Sequence, residues 1–439
     1  MKNKRKNIVI IGAGYVGLVS GTCFAEFGTN VIIADKDENK VKKLKKGEIP
    51  IYEPGLEALV LKNIDNGRLE FQTNLQDVIN DVDIIFIAVG TPSRRGDGHA
   101  DLKYVYQVAK EIASSVDKDM LIVNKSTVPV GTAREVEKIV KEINPNTDFS
   151  IASNPEFLRE GSAINDFMNP DRVIIGVNNE YSKNMLEEIY KPLSEKDIPI
   201  MFTDPESAEL IKYASNAFLA TKISFINEMS SLCEKTGANV EEVSRGMGYD
   251  TRIGDQFLRA GPGYGGSCFP KDTLALTQIA EDNGLNIKIV EAAIEANNNQ
   301  KRRMVSKITY ALGGSIIDKK IGILGLTFKP ETDDMRDAPS ITIIKELVNQ
   351  GACVIAHDPH GMEEAKKLLP NEVEFTESSI ETAAAADGLV LMTEWEEYLD
   401  LDLGALKSKM KGDAFVDLRN AFNEEKFKKI GFNYFSVGK

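Results

Sequence analysis

Asn7-Ile8-Val9-Ile10-Ile11 runs directly into Gly12-Ala13-Gly14-Tyr15-Val16-Gly17, and the reading of these residues decides the fold. A short β-branched run with no polar alternation predicts a strand buried on both faces, as in a parallel sheet. Leu18 to Phe27 reads as a helix ending at Gly28, and Asn30 to Ala34 as a second strand closed by Asp35. In this context GxGxxG carries a mechanism. The first glycine makes the turn, the second lets the backbone meet a pyrophosphate, and the third lets helix pack on strand; the helix N-terminus stabilises the phosphate charge. Asp35 would accept hydrogen bonds from a ribose hydroxyl and repel a 2′-phosphate, which favours NAD over NADP. A glycine-rich turn of another α/β protein is the alternative, and the flanking strands and the acid weigh against it.

Upstream, Met1 to Lys6 is basic and Ile8 to Ala25 has no charge, as in a signal peptide or membrane anchor. Gly12, Gly14, Gly17 and Gly21 would weaken a span, whereas strand, turn and helix explain all four. The net charge of -14 argues against a nucleic-acid partner, which needs a basic face. Cys23, Cys233, Cys268 and Cys353 show no CxxC spacing, and the three histidines do not pair with them as zinc ligands would. A reducing cytoplasm, no membrane and no metal are the expectation.

Downstream, Asp83 to Val89 and Met120 to Asn124 read as further strands, ending in Gly90-Thr91-Pro92 and Lys125-Ser126-Thr127-Val128-Pro129. Ligands bind off the carboxyl ends of such strands, so Thr91 and Thr127 are candidate contacts; ordinary turn chemistry accounts for them equally well. Arg94 to His99 reads as a solvated loop. Phe149 to Ala152 leads into Asn154-Pro155-Glu156-Phe157-Leu158-Arg159-Glu160-Gly161, and Asp171 to Val177 closes the domain.

Glu206 to Lys235 has neither proline nor glycine and predicts a long helix, able to bridge domains or dimerise. Lys212 and Asn216, four apart, share a face. Alone, such a lysine reads as a surface charge. Further on, Gly261-Pro262-Gly263-Tyr264-Gly265-Gly266-Ser267-Cys268-Phe269-Pro270-Lys271-Asp272 surrounds a cysteine with glycines, a lysine and a carboxylate. Glycines give up side-chain packing for close approach of backbone and ligand, and a reactive thiolate needs positive charge or N–H groups nearby. A glycine-rich surface loop that happens to hold a cysteine is the plainer reading. Ile287 to Val305 reads as a second connecting helix.

In the last third, Lys320 to Leu324, Cys353 to Ala356, Gly388 to Thr393 and Ala414 to Leu418 are strands, with a helix over Ser340 to Asn349. The pattern repeats the first unit without its glycine fingerprint. A related fold with a different phosphate ligand follows, with Lys329 and Arg419 as charge partners or plain surface charges. The fold class is α/β: two Rossmann-like parallel-sheet domains, 1–200 and 306–439, joined by a central long-helix domain, 201–305.

Together GAGYVG with Asp35, IYEPGL at 51–56, GTP at 90–92, STVPVGT at 126–132, NPEFLREG at 154–161, KYASNAF at 212–218, GPGYGGSCFPKD at 261–272 and GLTFKPETDDMRDAPS at 325–340 resemble the nucleotide-sugar (UDP-glucose/GDP-mannose) dehydrogenase family, most closely its UDP-glucose branch. The resemblance covers essentially the whole chain. It implies a four-electron oxidation of the sugar's C6 alcohol to a carboxylate with two NAD and one water. It also implies that Cys268 is the nucleophile, that Lys212 stabilises an oxyanion and that Asn216 helps orient it. Asp272, Glu156 and Thr127 match a water and proton-transfer network, with the base at each step unassigned. Gly12, Gly14, Tyr15, Val16, Gly17, Asp35, Thr91, Thr127, Glu160 and Arg336 fall to the cofactor. Phe157, Leu158, Arg159, Glu160, Lys212, Asn216, Arg259, Tyr264, Gly265, Phe328, Lys329 and Arg419 fall to the nucleotide sugar, as does Arg252, which matches a residue given by a partner subunit of a homodimer. Arg259 departs from many relatives, which carry lysine there. Sister enzymes acting on GDP-mannose or a UDP-N-acetylhexosamine are the alternative, with a two-electron dehydrogenase and a non-catalytic NAD sensor behind them.

Overall fold

The computed structural model describes residues 7–79, 82–94 and 98–439; the basic Met1 to Lys6 run and the centre of the Arg94 to His99 loop lie outside them. The chain divides into two compact units, residues 1–215 and 216–439.

The first unit is built on an eight-stranded sheet. Its strands are β1 (Asn7–Ile11), β2 (Asn30–Ala34), β3 (Leu69–Gln72), β4 (Ile84–Ile87), β5 (Met120–Asn124), β6 (Phe149–Ser153), β7 (Val173–Gly176) and β8 (Ile200–Thr203). Their order is β3-β2-β1-β4-β5-β6-β7-β8. Alternate residues of one strand enter opposite cores, as strand geometry requires. Ile8 and Ile10 pack with Leu18, Phe24, Ile33 and Phe86 on one face. Val9 and Ile11 pack with Ile85, Ile87, Val105 and Val136 on the other. β1 lies between β2 and β4, in register Val9 to Ile32 and Val9 to Ile85. The chain therefore leaves β1 and β4 toward opposite sides, which opens the crevice where α/β sheets bind ligands.

The parallel expectation holds with one departure: β7 meets β6 antiparallel at Ser153 and Gly176. Between them the only helix is Ala163–Met168, six residues or roughly 9 Å, which does not span a full parallel crossover; the rest is the loop after Asn154. β8 extends the sheet past the strand expected to close it. The long helix runs Pro205–Thr236, within one residue of its predicted ends.

The second unit carries a six-stranded sheet of β9 (Lys320–Leu324), β10 (Cys353–His357), β11 (Glu374–Phe375), β12 (Gly388–Leu391), β13 (Ala414–Asp417) and β14 (Asn433–Ser436). Its order, β11-β10-β9-β12-β13-β14, repeats that of the first six strands, and every pairing is parallel. Ile321 and Ile323 pack on Ile343, Leu347, Met304 and Ile308. The opposite face is aromatic, with Phe415 against Phe427, Phe432 and Tyr434.

Candidate active site

In the first unit the glycine turn has the geometry its spacing implies. Gly12 has φ +107°, and a Cβ there would lie 2.6 Å from the Ala88 carbonyl oxygen. A Cβ on Gly17 would lie 1.8 Å from the Gly12 oxygen, so helix and turn touch backbone to backbone. Gly14 is different: nothing lies within 4 Å of its Cβ position, and it is the N-cap of helix Tyr15–Glu26, which has no side-chain cap and no acid in its first turn. Open space at a bare helix N-terminus suits a pyrophosphate. Asp35, at the end of β2, accepts from Ala13 N at 2.9 Å and from Lys40 Nζ at 2.8 Å. Burial pushes its carboxyl up, but the Lys40 bond with the Asp37 and Ala13 N–H groups outweighs it, so Asp35 stays ionised and able to hold a ribose. These residues fit NAD.

Tyr15 donates its hydroxyl to Glu53, and burial followed by that carboxylate drives its phenol far above the ordinary range. Glu53, from the IYEPGL segment, also accepts from Gly161 N and Ala163 N, both at 2.7 Å. It thereby ties the turn helix to the Asn154–Gly161 loop. Thr91 donates to the Thr127 carbonyl at 2.8 Å and Ser126 to the Val89 carbonyl at 2.7 Å, stitching the loops after β4 and β5.

That stitched floor adjoins a charged cluster. Glu156 is buried; it accepts from Leu158 N at 2.5 Å and from Lys212 Nζ at 3.1 Å. Lys212 keeps 3% of its side chain exposed, so it is no surface charge. Its ammonium also lies 5.1 Å from the centre of the Phe157 ring, which Arg172 stacks upon at 3.8 Å. Breaking such a buried pair from one side typically costs about 3–5 kcal/mol. Glu209, three residues before Lys212, accepts from Gly131 N, Ala133 N and Ser153 Oγ and so anchors this end of the long helix. Arg159 is forked onto Asp166, with contacts of 2.6 and 3.0 Å. Leu158 and Glu160 are half-buried beside it.

In the second unit Cys268 is the N-cap of helix Phe269–Asp282, with Pro270 in the first turn. The helix end carries partial positive charge, which stabilises a thiolate. Ser267 Oγ lies 3.4 Å from Cys268 Sγ. Asp272 sits one turn along; its N–H donates to the Cys268 carbonyl at 2.8 Å. The Asp272 side chain, 1% exposed, accepts from Asn216 Nδ2 at 2.6 Å and pairs with the Lys271 ammonium. The unit thus brings Cys268, Asp272 and Asn216 into one constellation.

All six residues of Gly261–Gly266 are buried. Asn227 accepts from Gly261 N at 2.9 Å, Gln300 donates to the Gly261 carbonyl at 2.7 Å, and Asn297 accepts from Tyr264 N and donates to its carbonyl at 2.8 and 3.1 Å. Three amides on two helices hold the loop, and nothing in their spacing announces it. A Cβ on Gly265 would meet the Asp337 carbonyl at 2.5 Å and one on Gly266 the Phe328 ring at 2.8 Å. Within this unit the close approach that those glycines permit is to the 325–340 segment.

Arg419 donates to the carbonyls of Met392 and Phe328, both at 2.7 Å, and pairs with Glu394 at 3.1 Å; Arg259 reaches the same carboxylate at 3.7 Å. Lys329 Nζ lies 5.4 Å from the Phe328 ring centre. Arg336 is forked onto Asp334, and its carbonyl accepts from Gly266 N at 2.8 Å. Arg252 pairs with Asp250 and leaves 88% of its side chain exposed. The turn after β9 differs from the first unit's in a telling way. Its Leu326 and Thr327 N–H groups donate to Asp358 at 2.6 and 3.1 Å, so a protein carboxylate fills the anion position that Gly14 leaves open.

A glycine-turn dinucleotide unit that fits NAD, with a helix-capping cysteine beside a buried carboxylate and amide in the second unit, is the make-up of an NAD-dependent dehydrogenase. The chain belongs to the UDP-glucose/GDP-mannose dehydrogenase family: its NAD binding domain matches residues 6–194, its central domain 206–299 and its UDP binding domain 322–424. A UDP-glucose 6-dehydrogenase of Rhizobium meliloti is 54% identical over 98% of this chain and 99% of that protein. One from Bacillus subtilis is 48% identical over 99% and 98%. The solved UDP-glucose dehydrogenase of Pyrobaculum islandicum superposes with TM-score 0.92 at 37% identity, covering 100% of this chain and 98% of that one. Among the described residues no helix is long and apolar enough to cross a membrane.

Proposed function

We propose that the protein oxidises UDP-glucose to UDP-glucuronate, with two NAD and one water, through a thioester on Cys268. The observation that carries this reading is Cys268 at a helix N-cap with the buried Asp272–Asn216 pair one turn away. The names of the full-length relatives point to the same substrate.

NAD supplies the hydride acceptor for both oxidations. The first removes the C6 hydride and the hydroxyl proton and leaves an aldehyde. Cys268 Sγ then adds to the aldehyde carbon, and the resulting alkoxide is stabilised by the Lys212 ammonium, with Asn216 orienting it. Loss of a second hydride from this tetrahedral adduct gives the thioester. Water attacks the acyl carbon, the C–S bond breaks, and the carboxylate and free thiolate result. The water's proton passes to one of Asp272, Glu156 and Thr127.

The three-part division at residues 200 and 305 is retained for these roles: cofactor, catalytic helix and cysteine, and uridine nucleotide. Phe157–Glu160, Tyr264, Gly265, Arg259, Phe328, Lys329 and Arg419 hold the nucleotide sugar, and Arg336 lies toward the cofactor. The assembly is a homodimer through the long helix. Phe218, Phe225 and Leu232 recur every seven residues and are 64%, 43% and 55% exposed, an apolar seam of the kind that a second copy covers. The exposed Arg252 is then free to enter the partner's substrate site. A thiol that must stay reduced suits the cytoplasm. A panel of UDP-glucose, GDP-mannose and UDP-N-acetylhexosamines, read by NADH absorbance, tests the substrate: UDP-glucose is turned over fastest, and no NADH from it overturns the assignment.

A further inference from the structure

Glu53 belongs to the Ile51-Tyr52-Glu53-Pro54-Gly55-Leu56 segment, on neither the cofactor turn nor the sugar loop, and it is buried, with 7% of its surface exposed. Its carboxylate meets both. One oxygen, Oε2, accepts from the Tyr15 hydroxyl and from Gly161 N at 2.7 Å; the other, Oε1, accepts from Ala163 N at 2.7 Å and meets Ile164 N at 3.4 Å. The Gly161 N–H also reaches the Tyr15 oxygen at 3.1 Å, so phenol, carboxylate and N–H form one closed cluster. Tyr15 is the first residue of the helix that Gly14 caps, and Gly161, with φ +79°, ends the loop after β6. From Ala163 the order continues back into that loop. Asp166, on the short helix that Ala163 opens, accepts from Arg159 N at 2.8 Å and takes its guanidinium fork. Glu53 itself stands on a fixed base: its carbonyl accepts from Leu56 N at 3.1 Å, and Leu56 and Val60 pack with Leu18 and Phe24 of the turn helix.

The donors that hold this carboxylate are a phenol and backbone N–H groups, all neutral. Burying a carboxylate costs desolvation that such bonds offset only in part; what they add over apolar packing is direction. We infer that Glu53 is a positioning residue that couples the two ligands: it holds the Phe157–Glu160 loop in one place relative to the glycine turn, so that a dinucleotide seated at Gly14 steadies the loop that takes the nucleotide sugar, and the sugar steadies the turn. This rests on the roles given above to those two segments. The coupling is reciprocal, as linkage requires. Rate depends on it as well, since a misplacement of roughly 1 Å between reactants costs about 100-fold.

The test is the Kd of NADH, read by its fluorescence on the full-length protein, with and without saturating UDP-glucose, a pair that cannot react because both are reduced. In the wild type UDP-glucose tightens NADH at least about fivefold. Glu53→Gln turns one accepting oxygen into an NH2 group; the ratio falls to within about twofold of one, while NADH alone binds within about threefold of wild type. Tyr15→Phe keeps the packed ring and removes only the hydroxyl. It lowers the ratio to the same level and serves should Glu53→Gln not fold, and the double variant lowers it no further, as members of one chain of bonds do. The wild-type ratio persisting in either variant, or a wild-type ratio of one with both ligands bound, overturns the proposal; a role in stability alone shifts Tm and leaves the ratio untouched. Calorimetry with UDP-glucose alone separates the two failures: no binding to the wild type sinks the substrate reading rather than the coupling.

Discussion

Gly14→Ala separates the folding and binding duties of the glycine turn. Gly14 has φ −84° and ψ −170°, a conformation open to any residue, and nothing lies within 4 Å of the new methyl. The folded state loses only the glycine preference of an N-cap, about 1 kcal/mol, a fall in Tm of less than about 4 °C for a unit of this size. The methyl does, however, stand over the helix N-terminus where the pyrophosphate must approach. Losing one charge-assisted N–H bond there costs about 1.5–3 kcal/mol, or roughly a 10- to 100-fold rise in the NAD Kd. Gly17→Ala is the control: its Cβ falls 1.8 Å from a backbone oxygen, so the turn must open, and stability drops with affinity by about 3 kcal/mol or more. Titration calorimetry with NAD beside a thermal melt reads both quantities. Wild-type NAD affinity in Gly14→Ala refutes the pyrophosphate assignment, and a large Tm loss refutes the claim that its space is empty.

Other outcomes follow from the same geometry. Asp272→Asn keeps the hydrogen bond with Asn216 in altered form but removes a carboxylate; turnover falls about 10²–10⁴-fold, and intact-mass spectrometry of the quenched enzyme detects an acyl adduct on Cys268 if Asp272 serves hydrolysis. Burial raises Glu209 to about 7 despite three donors around it, so its contribution to stability is full below its unfolded value near 4.5 and is lost as pH rises through about 7. That loss is at most about 3 kcal/mol, and Glu209→Gln flattens it, as denaturant midpoints at pH 5 and 8 will show. Phe225→Glu places a charge in the seam of the long helix, which light scattering reports as a shift from dimer to monomer; a dimer of unchanged stability rejects that interface.

The sheet of each unit was legible because β1, β4, β5, β9 and β12 are continuous apolar runs, which both buried faces demand. β3, β8, β11 and β14 escaped because LEFQ, IMFT, EF and NYFS are two- to four-residue outer strands that mix polar with apolar residues. Cys268 and Asp272 could be read from their own segment, since the cysteine caps the helix that the carboxylate stands on. Lys125, Glu53, Asn227, Asn297 and Gln300 could not: each acts on a segment 29 to 110 residues distant, and no local periodicity encodes such a partner. The C-terminal turn visibly lacks the fingerprint in its sequence, but that Asp358 fills its anion position is a tertiary fact.

The count of NADH formed per UDP-glucose consumed tests the central claim most directly, read at limiting sugar with excess NAD by absorbance and by chromatography of the sugar nucleotide. Two NADH and one UDP-glucuronate per UDP-glucose is the predicted result, falling to one NADH or fewer with Cys268→Ser. One NADH per sugar in the wild-type enzyme, or two in Cys268→Ser at undiminished rate, contradicts the thioester route.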